Sequence, residues 1–419
     1  MTRLTIVDEF NGFAAVGGGN LAPPNENAQV TRMIDDTDRL ARCFTGHDWP
    51  NFAFLDIHEP GKLSALLRGG KQEGVELITI DNGNLAIRVI PTRGMGILDV
   101  RKDDVRLGWD SPVKEVVHPA FVNLESRGGL GWLEGFNEWM VRCGLEFAGH
   151  PGQDEFVNNT GDTATMDLTL HGKIQNVPAS DWEVLVDPKP PHRIRVRGTV
   201  YEKFFYGPKL KLVAEVSTVP GSDSFRISDT VTNEGAFPQE FQLIYHGNYG
   251  SSILEANATV LTPTNSVTPM NAHAGGAIAN WDTYAGPTKG FIEEVYLFDP
   301  IADADGKAHA VLRNAKGDLA TSLSWNLAEL PYLTVWKNTA AAEDGYVTGL
   351  EPATGYPFNR KVERKFGRVP KLAPGESRSF TLDYGIHAGS EAVKALAEKV
   401  TAIQGETPVK VNEDPPKVD

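Results

Sequence analysis

Apolar and polar positions alternate with a period of two in several separate stretches of the chain. Over residues 163–171, the apolar Met166, Leu168 and Leu170 alternate with threonine and aspartate. The same alternation recurs over residues 193–201, 225–232 and 380–384. A period of two places alternate side chains on opposite faces of a β-strand. The pattern therefore predicts antiparallel sheets with one face in the core and the other in water.

Turn-forming sequences separate these stretches, and 42 glycines and 27 prolines supply breaks for many strands. They are Asp81-Asn-Gly, Pro220-Gly-Ser-Asp, Asn233-Glu-Gly, Asp305-Gly-Lys, Lys316-Gly-Asp and Ala373-Pro-Gly-Glu. Many short strands with few helices are typical of an all-β sandwich or barrel.

Helical spacing is confined to the ends of the chain. Val393, Leu396 and Val400 follow a helical period after Ser390, which could cap the helix. Short helices are also predicted over residues 31–42 and 61–68. No proline- or glycine-rich linker divides the middle, so we predict an N-terminal extension (1–74), one sandwich domain (75–388), a C-terminal helix (389–409) and a charged, disordered tail (410–419).

Composition narrows the classes of function. The chain has 55 acidic and 40 basic residues and a formal net charge of −15, without the basic surface that nucleic acids or anionic membranes require. Two cysteines, Cys43 and Cys143, cannot form a disulfide framework, although one bridge between them stays open. The first residues lack a signal-peptide pattern and no run approaches the roughly 20 apolar residues of a membrane span. A cytoplasmic enzyme is the expectation.

Several catalytic motifs are missing from the sequence. It contains no His-Glu-x-x-His, no P-loop and no Gly-x-Ser-x-Gly. The glycine-rich segments that begin at Gly17 and Arg127 do not match a dinucleotide fingerprint and are interpreted as loops. We therefore predict a reaction that needs neither a metal ion nor a cofactor.

Four segments place functional side chains at strand ends or on strand faces. Arg93 lies beside two glycines, His171 ends a strand, His246 lies in an alternating strand, and Glu351 precedes a proline. Each alone could be ordinary surface polarity. Together, two histidines and a glutamate suit opening of a pyranose ring, in which a base takes the O1 proton and an acid protonates the ring oxygen. Each such group contributes about 10²–10⁴-fold in rate.

At these residues the chain resembles the aldose 1-epimerase (galactose mutarotase-like) superfamily, and in particular its divergent branch labelled a domain of unknown function (DUF4432). The resemblance covers roughly residues 75–388 and implies a galactose mutarotase-like supersandwich. It rests on short motifs in the family's order, namely Pro91-Thr-Arg-Gly-Met-Gly-Ile, Leu107-Gly-Trp-Asp-Ser-Pro, Leu170-His-Gly, Tyr245-His-Gly-Asn-Tyr and Leu350-Glu-Pro.

The resemblance implies a role for each candidate residue. Glu351 would be the general base on O1, His246 the general acid toward the ring oxygen, and His171 a hydrogen-bonding partner of the substrate. The residues expected to contact the sugar are Arg93, Glu138, Arg142, Trp336 and Lys337. Trp336 would stack on a sugar face or belong to the core, and Lys337 would meet an anionic substituent or be a solvated charge.

The sequence also departs from the family pattern. His246 is followed by Gly247 and Asn248 where the family has Pro-Tyr, and an insert around residues 132–139 could reshape the cleft. Residues 1–70 match no part of the family.

Three functions follow from these features, and fold alone does not decide among them. The leading hypothesis is an isomerase that interconverts sugar anomers. The alternatives are a non-catalytic sugar-binding module and a glycoside-cleaving enzyme, for which Glu138 is the only second carboxylate at hand. The expected partner is a small sugar, with homo-oligomer formation left open. The leading hypothesis requires His246 and Glu351 to share one pocket, a sugar's width apart.

Overall fold

The computed structural model describes residues 64–418, together with the backbone of two earlier strands, Arg3–Asp8 and Gly12–Val16. The helix predicted over residues 31–42, the glycine-rich segment at Gly17 and Cys43 lie outside the described residues. So does most of the predicted N-terminal extension.

Strands make up most of the regular structure. They are β1 (Arg3–Asp8), β2 (Gly12–Val16), β3 (Ala65–Leu66), β4 (Glu76–Asp81), β5 (Ala86–Ile90), β6 (Gly96–Lys102), β7 (Val105–Leu107), β8 (Met140–Leu145), β9 (Gly152–Val157), β10 (Thr163–Leu168), β11 (Asp181–Val186), β12 (Ile194–Lys203), β13 (Lys209–Thr218), β14 (Ser224–Asn233), β15 (Gln239–Glu240), β16 (Gln242–Tyr249), β17 (Thr259–Leu261), β18 (Thr264–Pro269), β19 (Glu294–Pro300), β20 (Lys307–Arg313), β21 (Leu319–Asn326), β22 (Tyr332–Asn338), β23 (Val347–Ala353), β24 (Lys371–Leu372), β25 (Ser377–Ala388) and β26 (Lys410–Val411).

Helices are few and mostly short. The α-helices are α1 (Ser126–Gly129), α2 (Ala272–Gly276), α3 (Arg360–Lys365) and α4 (Ser390–Gln404). Single 3₁₀ turns lie at Gly70–Gln72, Pro119–Phe121, Gly131–Gly135, Ile174–Asn176, Ile278–Asn280 and Ala342–Asp344. Within the described residues, no helix is both long enough and apolar enough to cross a membrane.

Two large sheets carry the fold. One has ten strands in the order β17-β20-β21-β25-β14-β13-β12-β11-β1-β2. The other has twelve, in the order β26-β18-β19-β22-β23-β16-β8-β6-β5-β4-β3, with β7 paired to β6. Neighbours are antiparallel except at β1–β11 and β18–β26, which are parallel. The prediction of a large antiparallel β-sandwich with few short helices is confirmed.

The alternating pattern explains how the two sheets pack. In the ten-stranded sheet, Val196, Leu212 and Ile227 point inward, and they share one buried cluster with Val89 and Leu243 of the twelve-stranded sheet. The positions between them carry charged residues on the outer face. Burying one face of each sheet against the other removes about 25 cal/mol of free energy per Å² of apolar surface covered.

The two ends of the described chain differ from the sequence-based expectation. Within the helix predicted over residues 61–68, Ala65–Leu66 is instead a strand paired with β4. Helix α4 begins after Gly389 rather than with Ser390 as its cap, and it ends at Gln404 rather than at residue 409.

The prediction of a disordered tail over residues 410–419 is wrong for its first residues. Lys410 and Val411 pair in parallel with Ser266 and Val267 of β18, and the Asn412 amide donates to the Val267 carbonyl at 2.9 Å. The physical reason is that β18 would otherwise be an open edge. Main-chain hydrogen bonding to an edge does not depend on an apolar side-chain pattern.

Candidate active site

Strands β16 and β23 bring the central pair together. Gly247 pairs with Leu350 in the antiparallel ladder, which places His246 across from Glu351 on the neighbouring strand. The His246 Nε2 atom lies 3.2 Å from Glu351 Oε1, and both side chains are almost fully buried. The two residues thus lie together in one buried candidate pocket, in contact with each other rather than separated by the width of a sugar.

Strand periodicity decides which residues face this pocket. On β16, Leu243 and Tyr245 belong to the core between the sheets, whereas Ile244 belongs to a separate cluster on the other face, with His246. Gly349 shares the Glu351 face of β23, because the two residues are two positions apart. A Cβ atom at Gly349 would lie 2.5 Å from Glu351 Oε1 and 3.2 Å from His246 Cε1, so glycine leaves the space that the pair occupies.

His171 enters the same cluster from a strained turn after β10. Its φ of 58° is in the left-handed region, which costs a non-glycine residue about 1–3 kcal/mol. The surrounding backbone holds it there, since the His171 amide donates to Gly149 O at 2.8 Å and its carbonyl accepts from the Gly144 amide at 3.0 Å. The His171 and His246 rings are 5.3 Å apart, edge to face.

Three aromatic side chains surround the histidines. Trp132 and Phe136 come from the 3₁₀ turn at Gly131–Gly135 and the residue after it, with ring centroids 6.0 Å and 5.5 Å from that of His246. Trp336 on β22 lies 5.5 Å away, and its indole donates to Glu293 at 2.8 Å. Sequence reasoning flagged the insert but did not select Trp132 or Phe136. The available signal was a pair of aromatic residues four positions apart, each directly after a glycine.

Burial sets the protonation of the cluster. It lowers the pKa of His246 to about 4 and lowers the pKa of His171 well below the usual range, while it raises the pKa of Glu351 well above 4.5. Burial therefore favours the uncharged form of all three groups, with neutral imidazoles and a protonated Glu351 carboxyl. The contact between His246 and Glu351 thus holds one exchangeable proton.

Several polar atoms of the cluster are buried without a hydrogen-bond partner in the described structure. They are the Nδ1 atoms of His171 and His246 and the indole Nε1 of Trp132. Buried polar atoms in folded proteins nearly always have a partner, so unpaired ones point to a ligand or to water. Three such atoms beside aromatic faces match what a polyhydroxylated ring with an apolar face would satisfy.

Contrary to the prediction, Arg93 and Glu138 do not contact this pocket. Both are fully buried and form an ion pair with each other, and Arg93 also donates to the carbonyls of Val117 and Gly135 at 2.9 and 3.0 Å. Gln175 donates to both oxygens of the Glu138 carboxylate at 3.0 Å. The hydrogen bonds of the pair therefore hold the chain around residues 117–138 in place.

Arg142 is also wrongly predicted as a substrate contact. It follows Val141 on β8 and therefore points to the opposite face, into the core between the sheets. There it pairs in a bidentate manner with Asp229 of the other sheet and donates to the Met95 carbonyl at 2.6 Å. It links the two sheets rather than lining a cleft.

Lys337 is separated from the pocket for the same reason. Trp336 faces the histidines, so the next residue of β22 faces the other way. The Lys337 Nζ atom donates to the carbonyls of Asn280 and Thr283 at 2.6 and 2.9 Å. Of the residues expected to contact the sugar, Trp336 is the one that lies against the histidine pair.

No group of three or more His, Cys, Asp or Glu residues in the described part of the chain could hold a metal ion. Cys143 is buried as a free thiol on the pocket face of β8, and the bridge to Cys43 left open by the sequence lies outside the described residues.

Comparisons with known proteins show the family to which the chain belongs. The family model described as a domain of unknown function (DUF4432) matches residues 72–386. A solved structure named "putative aldose 1-epimerase" from Klebsiella pneumoniae is 45% identical, covers 85% of this chain and 92% of that chain, and has a TM-score of 0.79.

More distant structures share the fold alone. A galactose mutarotase-like protein from Clostridium acetobutylicum is 16% identical over 75% of this chain and 96% of its own, with a TM-score of 0.51. A galactose mutarotase related enzyme from Lactobacillus acidophilus is 14% identical over 75% and 99% of the two chains, with a TM-score of 0.50. Among curated proteins, Nicotinamidase 1 of Arabidopsis thaliana is 46% identical over 57 residues, which are 14% of this chain. The chain spans 23% of the length of that relative.

Proposed function

We propose that this chain, which belongs to the family described as a domain of unknown function (DUF4432), is a carbohydrate isomerase that interconverts the anomers of a free sugar. Its fold is that of the galactose mutarotase-like proteins. The observation that carries the proposal is the buried contact of 3.2 Å between His246 and Glu351, beside His171 and under aromatic side chains.

The His246–Glu351 pair can donate and accept the protons that anomer exchange requires. Ring opening removes a proton from the anomeric O1 and adds one to the ring oxygen, so no proton is gained or lost overall. A couple that holds one proton can do both, because one member accepts while the other donates. After rotation about C1–C2, the members exchange roles and close the ring on the other face.

The preferred sugar is uncharged. The three cations that the sequence suggested near the substrate, Arg93, Arg142 and Lys337, all donate to groups of the protein itself. The Trp336 indole donates to the carboxylate of Glu293, which would repel a phosphate or a uronate. A neutral ring can instead stack on Trp132 or Trp336.

Substrate entry requires the aromatic cover to move. His246 and Glu351 are 3.2 Å apart, and Phe136 lies over the imidazole at a centroid distance of 5.5 Å. A sugar that places O1 and its ring oxygen against the pair must displace the segment carrying Trp132 and Phe136. Closure over the bound sugar would then exclude water.

Glycoside cleavage receives less support from the geometry. Glu138 was the only second carboxylate suggested by the sequence, and it is paired with Arg93 and Gln175. A glycosidase generally needs two carboxyl groups that flank one bond, roughly 5–9.5 Å apart.

The proposal is tested by measuring exchange between sugar anomers with magnetisation-transfer NMR. Glu351→Gln and His246→Ala should each lower the exchange rate at least a hundredfold, within the usual range for one acid or base. The chain offers a matched control in His309 and Asp303, whose side chains are 2.7 Å apart outside the candidate site. His309→Ala and Asp303→Asn should leave exchange unchanged.

The other outcomes separate the alternatives. Sugar binding by the wild type without exchange would favour the non-catalytic module. Release of a reducing end from a glycoside would favour the hydrolase. Exchange that survives both Glu351→Gln and His246→Ala would reject the proposed site.

A further inference from the structure

We propose that the chain has a second, separate binding site for a small polyhydroxylated molecule, on the opposite side of β22 from the histidine pair. This Lys337 cavity is lined by Lys337, Thr339, Glu294, Tyr284, Phe291 and Asn280 and has a volume of about 250 Å³. This volume is slightly below the roughly 300–1,000 Å³ of most ligand pockets, so the cavity admits only one small molecule of about monosaccharide size. The inference does not depend on the proposed function.

A count of hydrogen-bond donors shows what the cavity lacks. The ammonium group of Lys337 has three N–H donors, and two acceptors, the carbonyls of Asn280 and Thr283, lie within 2.6 and 2.9 Å. The Thr339 hydroxyl is buried, lines the same cavity and has no hydrogen-bond partner in the described structure. A donor and a hydroxyl therefore stay available for an occupant.

The charges of the lining favour a neutral occupant with hydroxyl groups. Glu294 also lines the cavity, and its carboxylate accepts a hydrogen bond from Tyr296 at 2.9 Å. An anion that approached Lys337 would be repelled by Glu294, and a cation that approached Glu294 would be repelled by Lys337. A hydroxyl group can accept from the ammonium group and donate to the carboxylate, so neighbouring hydroxyls fit both.

The walls and the opening of the cavity agree with this assignment. The Tyr284 ring lies 4.7 Å from Lys337 Nζ, and Phe291 contributes a second aromatic side chain to the lining. Aromatic faces pack against the C–H face of a sugar or polyol. Asn280 and Ala285 at the rim are exposed to solvent, so a small molecule can reach the cavity.

Thr339→Val provides the sharpest test because it removes the unpaired hydroxyl while keeping the shape of the side chain. We expect the midpoint of thermal unfolding to stay the same or rise, since no hydrogen bond within the protein is lost. Calorimetric titration of the wild type with D-glucose should show a class of site at the Lys337 cavity, in addition to the class at the histidine pair that the proposed function predicts. In Thr339→Val, one class should weaken about fivefold to tenfold, the ratio expected for one hydrogen bond.

Matched variants identify which site is affected. Thr339→Ser keeps the hydroxyl and should bind like the wild type, whereas Lys337→Met should lose the second class. Glu351→Gln should keep that class, and Thr339→Val should keep wild-type anomer exchange. Failure of the proposed isomerase would appear in the exchange assay, while failure of this inference would appear only in the titration.

Two further ligands test which class of small molecule the Lys337 cavity binds. Glycerol that occupies the Lys337 cavity in competition with glucose would support a general polyol site. Acetate that displaces glucose would identify an anion site and overturn the inference. Glucose binding that is unchanged from the wild type in both Thr339→Val and Lys337→Met would overturn it as well.

Discussion

Gly349→Ala tests the site geometry without touching a chemical group. The added Cβ atom would lie 2.5 Å from Glu351 Oε1, 3.2 Å from His246 Cε1 and 3.3 Å from Trp336 Cε3. Ordinary contact distances are about 3.5 Å, so the carboxylate must retreat by roughly 1 Å. Its distance from His246 Nε2, now 3.2 Å, would then exceed hydrogen-bond reach.

The expected consequence is a loss of rate with little loss of stability. A displacement of about 1 Å in a catalytic arrangement costs on the order of 10²-fold in rate. Alanine relieves the entropy cost of glycine in a strand by about 0.5–1 kcal/mol, which offsets part of a strain of about 1–3 kcal/mol. We expect the free energy of unfolding to fall by no more than about 2 kcal/mol.

Gly247→Ala is the matched control, since it adds the same methyl group to the partner strand. There a Cβ atom would meet Leu350 O at 3.2 Å and the Tyr249 ring at 3.5 Å, away from the acid–base pair. Anomer exchange by NMR and urea unfolding should be measured for both variants. Wild-type exchange in Gly349→Ala, or an equal loss in Gly247→Ala, would refute the role given to this contact.

Three further predictions test protonation, architecture and the aromatic cover. The rate of anomer exchange should fall as pH drops through about 4, where His246 gains a proton. It should fall again as pH rises through the raised pKa of Glu351, where the carboxyl loses its proton. A rate that stays constant over both pH ranges would contradict a proton shared by the two residues. Arg142→Met leaves Asp229 buried without its charged partner, although the Tyr245 hydroxyl still donates to it, and should cost about 3–5 kcal/mol in urea unfolding, while sugar affinity per folded molecule stays unchanged. Trp132→Phe removes the unpaired indole N–H but keeps a ring, so sugar affinity by calorimetry should fall about fivefold with the unfolding midpoint nearly unchanged.

The fold was predictable because its signal repeats in many strands. The alternation of Ile194 and Val196 with Arg195 and Arg197 reports directly which face of the strand is buried. Pairing at the ends was not predictable in this way. Lys410 joins β18 through main-chain hydrogen bonds, which leave no trace in the pattern of side chains.

The candidate site was predictable only in part, and two of the errors have the same physical origin. His246 and Glu351 were selected from short motifs that resemble those of a known family, and the structure pairs their strands so that the two residues face each other. Arg142 and Lys337 were misplaced because a position next to a site residue in sequence lies on the other face of a strand. Strand alternation, applied to Val141 or Trp336, would have separated them from the pocket.

The buried ion pair of Arg93 and Glu138 holds the segment that covers His246, which is a structural role rather than the predicted contact with the sugar. Arg93 donates to the Gly135 carbonyl, immediately before Phe136, and Glu138 lies two residues after it. The segment that covers His246 is thus fixed on both sides of Phe136 by one arginine. Because a charged hydrogen bond contributes about 1.5–3 kcal/mol, this anchoring limits how far the cover can open. Opening for a sugar should therefore start at the end of the segment that carries Trp132, where the exposed Leu133 faces solvent rather than a partner strand.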